Sequence, residues 1–269
     1  MKILLENLEN KLKQDGYEVI VVNDFSTEKQ NIFSKKFQKI KNIKILNLSQ
    51  NIGSQGCISI GLKFLSNLNK NCLITIMDGD GEDDPGHVNN LFDFAEKYPN
   101  LIITSNRLNR HAGKLFQFFY KIHLMITFLL TFKWINFGNF SCFNSQILSQ
   151  LQSNNQIGVA VSAAISKNCK IYKCPSKRLK RYKDNSKVSY FGLILHSLRI
   201  LSVFYNRVIL SSLMYVILFL LVYNVITFAT YGLMLLIFIF NILLVLINKK
   251  YKITSDKFNK ILLKKENQN

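Results

Sequence analysis

Five carboxylates fall within seven positions of this chain: Asp78, Asp80, Glu82, Asp83 and Asp84. The whole sequence has 16 acidic residues against 35 Lys and Arg, so the cluster does not reflect an acidic composition. A calcium loop of the EF-hand type needs Gly at its sixth position and Glu at its twelfth. Counted from Asp78, those positions hold Asp83 and Asn89, and the pattern fails. A merely solvated turn gives no reason for an apolar run, Cys72 to Met77, to lead straight into Asp-x-Asp. A hard cation shared with phosphates does give one. Mg²⁺ and Mn²⁺ prefer oxygen ligands, and Mg²⁺ is often held by one or two carboxylates plus substrate phosphates. Side chains alternate along an extended segment, which predicts Asp78 and Asp80 on one side of it. Either both grip one metal, or one holds the metal and the other a ribose. The cation would neutralise a departing diphosphate.

The elements that must position this loop are legible as alternating strands and helices. Ile3 to Leu12 reads as a helix, Tyr17 to Val22 as a buried strand, and Ser26 as the cap of a helix through Gln38. Ile43 to Leu48 reads as a second strand, and the Gly-bearing stretch from Asn51 opens a helix. Cys72 to Met77 is a third strand, Pro85 to Tyr98 a helix, and Leu101 to Ser105 a fourth strand. Strands alternating with helices at this spacing predict βαβ units, an α/β fold and a mainly parallel sheet. In such sheets ligands bind beyond the carboxyl ends of the strands. Asn23-Asp24-Phe25-Ser26 and the acidic loop both lie at such ends, facing one crevice.

Past Arg107 the pattern turns apolar. Lys114 to Trp134 carries Lys121 and His123, which disfavour a membrane span and favour a helix lying at a membrane surface. Ser186 to Asn206 is amphipathic. From Val208 to Asn248 no Asp, Glu, Lys, Arg or His occurs. One span needs about 20 apolar residues, so two helices fit, with a turn expected at Ala229 to Gly232. A soluble hairpin would need a polar face that this stretch lacks. Arg199 and Arg207 precede it and Lys249, Lys250 and Lys252 follow, which places both flanks in the cytoplasm. Residues 1–18 read as a charged amphipathic helix, not as a signal peptide. Five Cys, an odd number without C-x-x-C spacing, fit free thiols in a reducing compartment. Between Lys167 and Arg207 stand eleven Lys or Arg against Asp184 alone. Leading into a membrane hairpin, that run suits anionic lipid and phosphate, and no nucleic acid partner is expected. The four His are scattered and suggest no metal site.

Four stretches together resemble the inverting, GT-A fold glycosyltransferases of family 2, in the organisation of the polyprenyl-phosphate sugar transferases (the dolichol-phosphate mannose synthase and bactoprenol glucosyltransferase types). "VIVVNDFSTE" is similar to that family's strand ending in Asp-Asp-x-Ser. "NIGSQGCISIGL" is similar to its Asn-x-Gly helix entry, "MDGDGEDDP" to its Asp-x-Asp loop, and "RYKDNSKVS" to its Arg-x-x-Gly-x-Ser-Lys segment. The resemblance covers nearly the whole chain and implies roles. Asn23 and Asp24 would contact base or ribose. Asp78 and Asp80 would bind nucleotide and metal (Mg²⁺ or Mn²⁺), with Asp80 the direct ligand. Arg107 would clamp phosphate, and Arg181 and Lys187 would lie near the diphosphate or the acceptor phosphate.

The chain also departs from that pattern. It begins at the helix that follows the family's first strand, which leads us to expect a missing beginning. Asn23 stands where an Asp is common, and "GEDDPG" replaces the usual Leu-Gln-Asp-Pro-Pro-Glu. Asn139, in "FGNFSCFN", replaces a carboxylate sometimes cast as the base. An alcohol acceptor needs a base, because its pKa lies far above 7. A phosphate monoester, with a second pKa near 6, is already mostly ionised. Asn139 therefore argues for a lipid-phosphate acceptor, which it would orient.

The expected protein has a GT-A domain over 1–187, a juxtamembrane amphipathic helix over 188–206, two transmembrane helices over 207–248 and a basic cytoplasmic tail over 249–269. It would sit in the cytoplasmic membrane as a multi-pass protein. There it would move a sugar from a UDP- or GDP-type nucleotide sugar to a polyprenyl phosphate, for cell-surface glycan or glycolipid synthesis. A homo-oligomer is compatible with that reading. The rivals are the same fold acting on a glycolipid hydroxyl, and a catalytically degenerate membrane scaffold.

Overall fold

The βαβ alternation read from the sequence is present. The computed structural model describes residues 1–26, 37–68, 70–107, 114–182, 190–223 and 228–262. Helix α1 (Lys2–Lys11) leads into β1 (Tyr17–Asn23), which pairs in parallel with β2 (Ile40–Asn47), Asn23 opposite Asn47. Most of the expected helix between them lies outside the described residues. Then follow α2 (Gly53–Ser66), β3 (Leu73–Ile76), α3 (His87–Lys97) and β4 (Ile102–Arg107). Beyond β4 come α4 (Lys114–Thr131), β5 (Ser141–Asn144), α5 (Leu148–Gln152), α6 (Val161–Asn168) and β6 (Ile171–Ser176).

Pairing is mainly parallel, as expected, but one strand, β5, runs the other way. β1 and β2 form a two-stranded sheet, and a four-stranded sheet has the order β3-β5-β4-β6. β4 and β6 are parallel, but β5 runs antiparallel to both β3 and β4. A parallel strand needs a crossover that returns the chain over the sheet. Helix α4 makes no such return; it packs on the later helices α7 (Tyr190–Val203) and α8 (Tyr205–Tyr223), and the chain re-enters from the rim. No ladder joins β1 to β3 among the described residues; an ion pair between Glu18 and Lys70 (2.8 Å) crosses between their starts.

Successive residues of the four-stranded sheet serve opposite faces, as strand geometry requires. Ile102 and Phe143 face a core with α2, α5 and α6, while Ile103 and Cys142 face α3 together with Leu12. The first core continues without a break into Leu201 of α7, Val208 of α8 and Leu244 of α9 (Phe228–Tyr251). Tyr205–Val222 and Phe228–Tyr251 are long and apolar enough to cross a membrane, with mean hydropathies of 1.8 and 2.6 and 17% of each apolar window buried. The expected turn at Ala229 to Gly232 lies inside α9 instead, because one Gly costs a helix only about 1 kcal/mol and Leu233 to Leu236 after it are strong helix formers.

The joint between sheet and helices uses basic residues read from sequence as membrane flanks. Arg199 donates to the carbonyls of Val159 (2.7 Å) and Gly158 (2.8 Å) and stacks on Tyr251. Lys167 donates to Val203 O, and Asn248 to Ser202 O. A Cβ on Gly158 would meet the Tyr251 carbonyl at 2.9 Å, so only glycine allows this approach. The residues after α9 do not simply trail as a basic tail. Helix α10 (Ser255–Ile261), capped by Thr254, buries Phe258 and Ile261 against Leu48 and Ile60. The amide of Ser49 donates to Ile261 O (2.9 Å). The expected tail over 249–269 is thus partly a folded strut beside β2. Residues 263–269 lie outside the described residues.

Candidate active site

The rim is built from turns that follow strands. At the end of β1 the Asp24 carboxylate accepts from the amides of Ile52 (2.7 Å) and Gly53 (2.9 Å), at the start of α2. Those amides have no helical acceptor, so a carboxylate there is a natural partner. Gly53 has φ +76, open to glycine and strained for other residues. Half-buried Cys57 lies beside the same carboxylate, and its thiol is pushed up to about 12 by burial first and then by Asp24. Asn23 donates to Asn47 Oδ1 (3.0 Å) and accepts from the amide of Ser26 (3.1 Å). Its side chain thus ties the strand ends together, and the Asn-for-Asp change removes a charge without loosening this corner.

β3 ends at Ile76, and the acidic loop is a turn where the sequence reading assumed an extended segment. The period-two argument for Asp78 and Asp80 therefore does not apply. Gly81 takes φ +90, and Asp80 Oδ1 accepts from the amide of Glu82 two residues on (3.0 Å). This local side-chain turn is what Asp followed by Gly favours. Asp83, only 2% exposed, accepts from the amide of Asp78 (3.0 Å). Both Asp78 and Asp80 are half-buried at the rim.

A strap, residues 178–182, lies antiparallel against this loop. Leu179 N donates to Glu82 O, Tyr182 N to Asp80 O, and Asp83 bridges Arg178. Arg178 and Arg181 both bond the Glu82 carboxylate, Arg181 at 2.9 Å, and Arg181 also pairs with Asp80 Oδ2 (3.2 Å). Burial pushes the Glu82 carboxyl up, but Arg178 and then Arg181 outweigh it and hold it below the ordinary range. Arg181 is correspondingly raised, chiefly by its bond to Glu82. The Tyr182 ring lies on Gly81, and its hydroxyl accepts from Asn7 (2.8 Å). Lys11 pairs with Asp84 (2.9 Å), so α1 holds the far side of the loop.

Asn139 precedes β5 by two residues, and Ser141, the first residue of β5, pairs with Ile76 at the end of β3. The Asn139 Oδ1 accepts from Gln55 Nε2 (3.3 Å), and Gln55 lies two residues past Gly53. Two sets of contacts result: Asp24 holds the start of α2, whose Gln55 reaches Asn139, and Asp80 is held with Glu82 by Arg181. Arg107 ends β4 opposite Ser176; its side chain, like the whole of Lys187, lies outside the described residues.

The family model of glycosyl transferase family 2 matches residues 2–167. The chain belongs to glycosyl transferase family 2. No curated protein matches the chain. As a family 2 glycosyltransferase it takes a nucleotide sugar as donor, on an α/β fold of the GT-A type. Members of the family commonly use a divalent cation. Among the described residues no group of three or more His, Cys, Asp or Glu is arranged to hold a metal. A cation at the acidic loop would have to complete its shell with diphosphate and water.

Sequence reasoning missed Glu82 as a clamp, along with its partner Arg178 and the positioning of Asn139 by Gln55. The available signal was the pairing of an acidic turn with Arg178 and Arg181, three apart in a basic run.

Proposed function

We propose that this protein is a membrane-bound inverting glycosyltransferase that moves a sugar from a UDP- or GDP-type nucleotide sugar to a polyprenyl phosphate. It would act at the cytoplasmic face, in the manner of the polyprenyl-phosphate sugar transferases, for cell-surface glycan or glycolipid synthesis. One observation carries the lipid acceptor. The two apolar helices grow out of the same hydrophobic core as the sheet, with Val208 and Leu244 packed in one cluster with Ile74 and Phe143. A lipid held beside those helices would bring its headgroup to the rim. Exposed apolar residues of α4, among them Phe118, Phe119, Ile126 and Phe128, extend that surface.

An acceptor phosphate oxygen would attack the anomeric carbon as the bond to the diphosphate oxygen breaks. The nucleoside diphosphate would leave with the electron pair, on the face opposite attack. Asp78 and Asp80 would hold Mg²⁺ or Mn²⁺, which when bound neutralises the diphosphate. Arg181, already between Asp80 and Glu82, would turn from Asp80 to the diphosphate, and Arg107 and Lys187 would add positive charge. Preplaced charge of this kind acts where negative charge develops. Asn139 cannot accept a proton, which suits an acceptor that is already ionised. Asp24 would meet the ribose or base through lone pairs that its two amide bonds leave open.

The test is calorimetric titration of detergent-purified protein with UDP and with GDP, with and without Mn²⁺, followed by assay of transfer to farnesyl phosphate. We expect Mn²⁺-dependent binding of one nucleotide, lost in Asp80→Ala. Well-folded protein that binds neither nucleotide would overturn the proposal and favour a scaffold. Transfer to farnesol in preference to farnesyl phosphate would favour a hydroxyl acceptor.

A further inference from the structure

Gln55 lies in the Asn-x-Gly helix entry but is given no role there, and it is only 6% exposed in the first turn of α2. Both ends of its amide are engaged. Oε1 accepts from the backbone amide of Val161 (2.7 Å), and Nε2 faces Asn139 Oδ1 (3.3 Å). A backbone N–H can only donate, so the first bond fixes which end of Gln55 is oxygen. The NH₂ of Gln55 must then face Asn139, so the atom of Asn139 that meets it must be the acceptor. Amide orientation is otherwise ambiguous; here the backbone of Val161 decides it. The remaining atom of Asn139, its NH₂, has no hydrogen-bond partner among the described residues and belongs to a half-buried side chain two residues ahead of Ser141, the partner of Ile76. The Asn139 backbone is held as well, since its carbonyl accepts from Ser141 Oγ (2.9 Å) and the next carbonyl from Ser105 N (2.9 Å).

We propose that Gln55 is a positioning residue that locks the Asn139 amide with its N–H groups toward the crevice, making position 139 a hydrogen-bond donor to the phosphate oxygen of the acceptor. This deepens the function proposed above and rests on it. The carboxylate that could have served as a base there is replaced by a group of opposite hydrogen-bonding polarity, held so by a second amide that the backbone orients.

The test inverts the polarity without changing the shape. In Gln55→Glu, one carboxylate oxygen still accepts from Val161 N–H and the other now requires Asn139 to donate. The Asn139 amide therefore turns and offers oxygen to the crevice. In Asn139→Asp, the Gln55 bond survives and the crevice again meets oxygen. Calorimetry with farnesyl phosphate, with farnesol, and with UDP or GDP plus Mn²⁺ reads the three arms. One hydrogen bond to a charged oxygen corresponds to roughly a tenfold or larger change in affinity. We expect both variants to lose about that factor for farnesyl phosphate beyond any loss they show for farnesol or nucleotide. In an Asn139→Ala background, Gln55→Glu should have no further effect on farnesyl phosphate; a merely structural role would keep its effect there. Asn139→Asp, which adds no buried charge at position 55, keeps the test decisive if Gln55→Glu folds poorly. Unchanged farnesyl phosphate affinity in Asn139→Asp overturns the inference while leaving the transferase reading intact. Loss confined to the nucleotide arm overturns it too, because the donor would then be the anion held. Failure of the wild-type protein to bind nucleotide sinks the transferase reading alone, since the farnesyl phosphate arm reads the amide separately.

Discussion

Gly81→Ala tests whether the strap really closes on the acidic loop. Gly81 sits at φ +90, where a side chain costs about 1–3 kcal/mol in backbone strain. A Cβ there would also lie 2.5, 2.6 and 2.7 Å from three ring carbons of Tyr182. Those contacts are too short to survive, so the ring must leave. Its hydroxyl bond to Asn7 is then lost, at about 1 kcal/mol. The total is about 2–4 kcal/mol. For a chain of this size, each kcal/mol lowers Tm by roughly 2–4 °C, so a drop of about 5–15 °C is expected in thermal unfolding of the detergent-purified protein. The strap should loosen with it, freeing Arg181 from Asp80, and Mn²⁺-dependent nucleotide affinity should change as well. Tyr182→Ala removes the collision but not the backbone strain. The double variant should therefore be less destabilised than the sum of the two, by about 1–2 kcal/mol. Additive effects, or a Gly81→Ala Tm within a degree of wild type, would refute the packing argument.

Two further outcomes follow from the geometry. Phe258→Ala should cost about 3 kcal/mol by opening a cavity between α10 and Leu48, measurable as a lower Tm; no change would mean that the strut contributes nothing. Acid should weaken the clamp. Glu82 and Asp84 are both held below their ordinary values of 4.5 and 3.8, so their contribution is complete above about pH 4.5 and is lost as pH falls through the depressed values. Glu82→Gln should flatten the fall of Tm below pH 4.5, and an unaltered acid limb would remove Glu82 from the clamp.

What the sequence made legible was local. The strand ending in Asn23, the glycine entry to α2 and the acidic loop each announce themselves within a dozen residues, because period, turn chemistry and capping are short-range. β5 was missed because Ser141–Asn144 is four residues long and its direction depends on where α4 goes, which no local pattern records. α10 was read as tail because its charges dominate, although Thr254 as a cap and the spacing of Phe258 and Ile261 carried the signal.

The site divides in the same way. Asp24, Asp78 and Asp80 stand out by type and position, but the protein groups that hold each of them do not. Arg178 meets Glu82 across 96 residues, and Val161 meets Gln55 across 106. Such pairs exist only once the sheet has brought β3, α2 and the chain after β6 to one rim. They also change the chemistry read from the motif: Asp80 already has a cationic partner in Arg181, and Asn139 already has a fixed polarity. The choice between a base and a donor at position 139 is not written in any motif, because it depends on a backbone amide of another helix, that of Val161, which fixes the Gln55 amide.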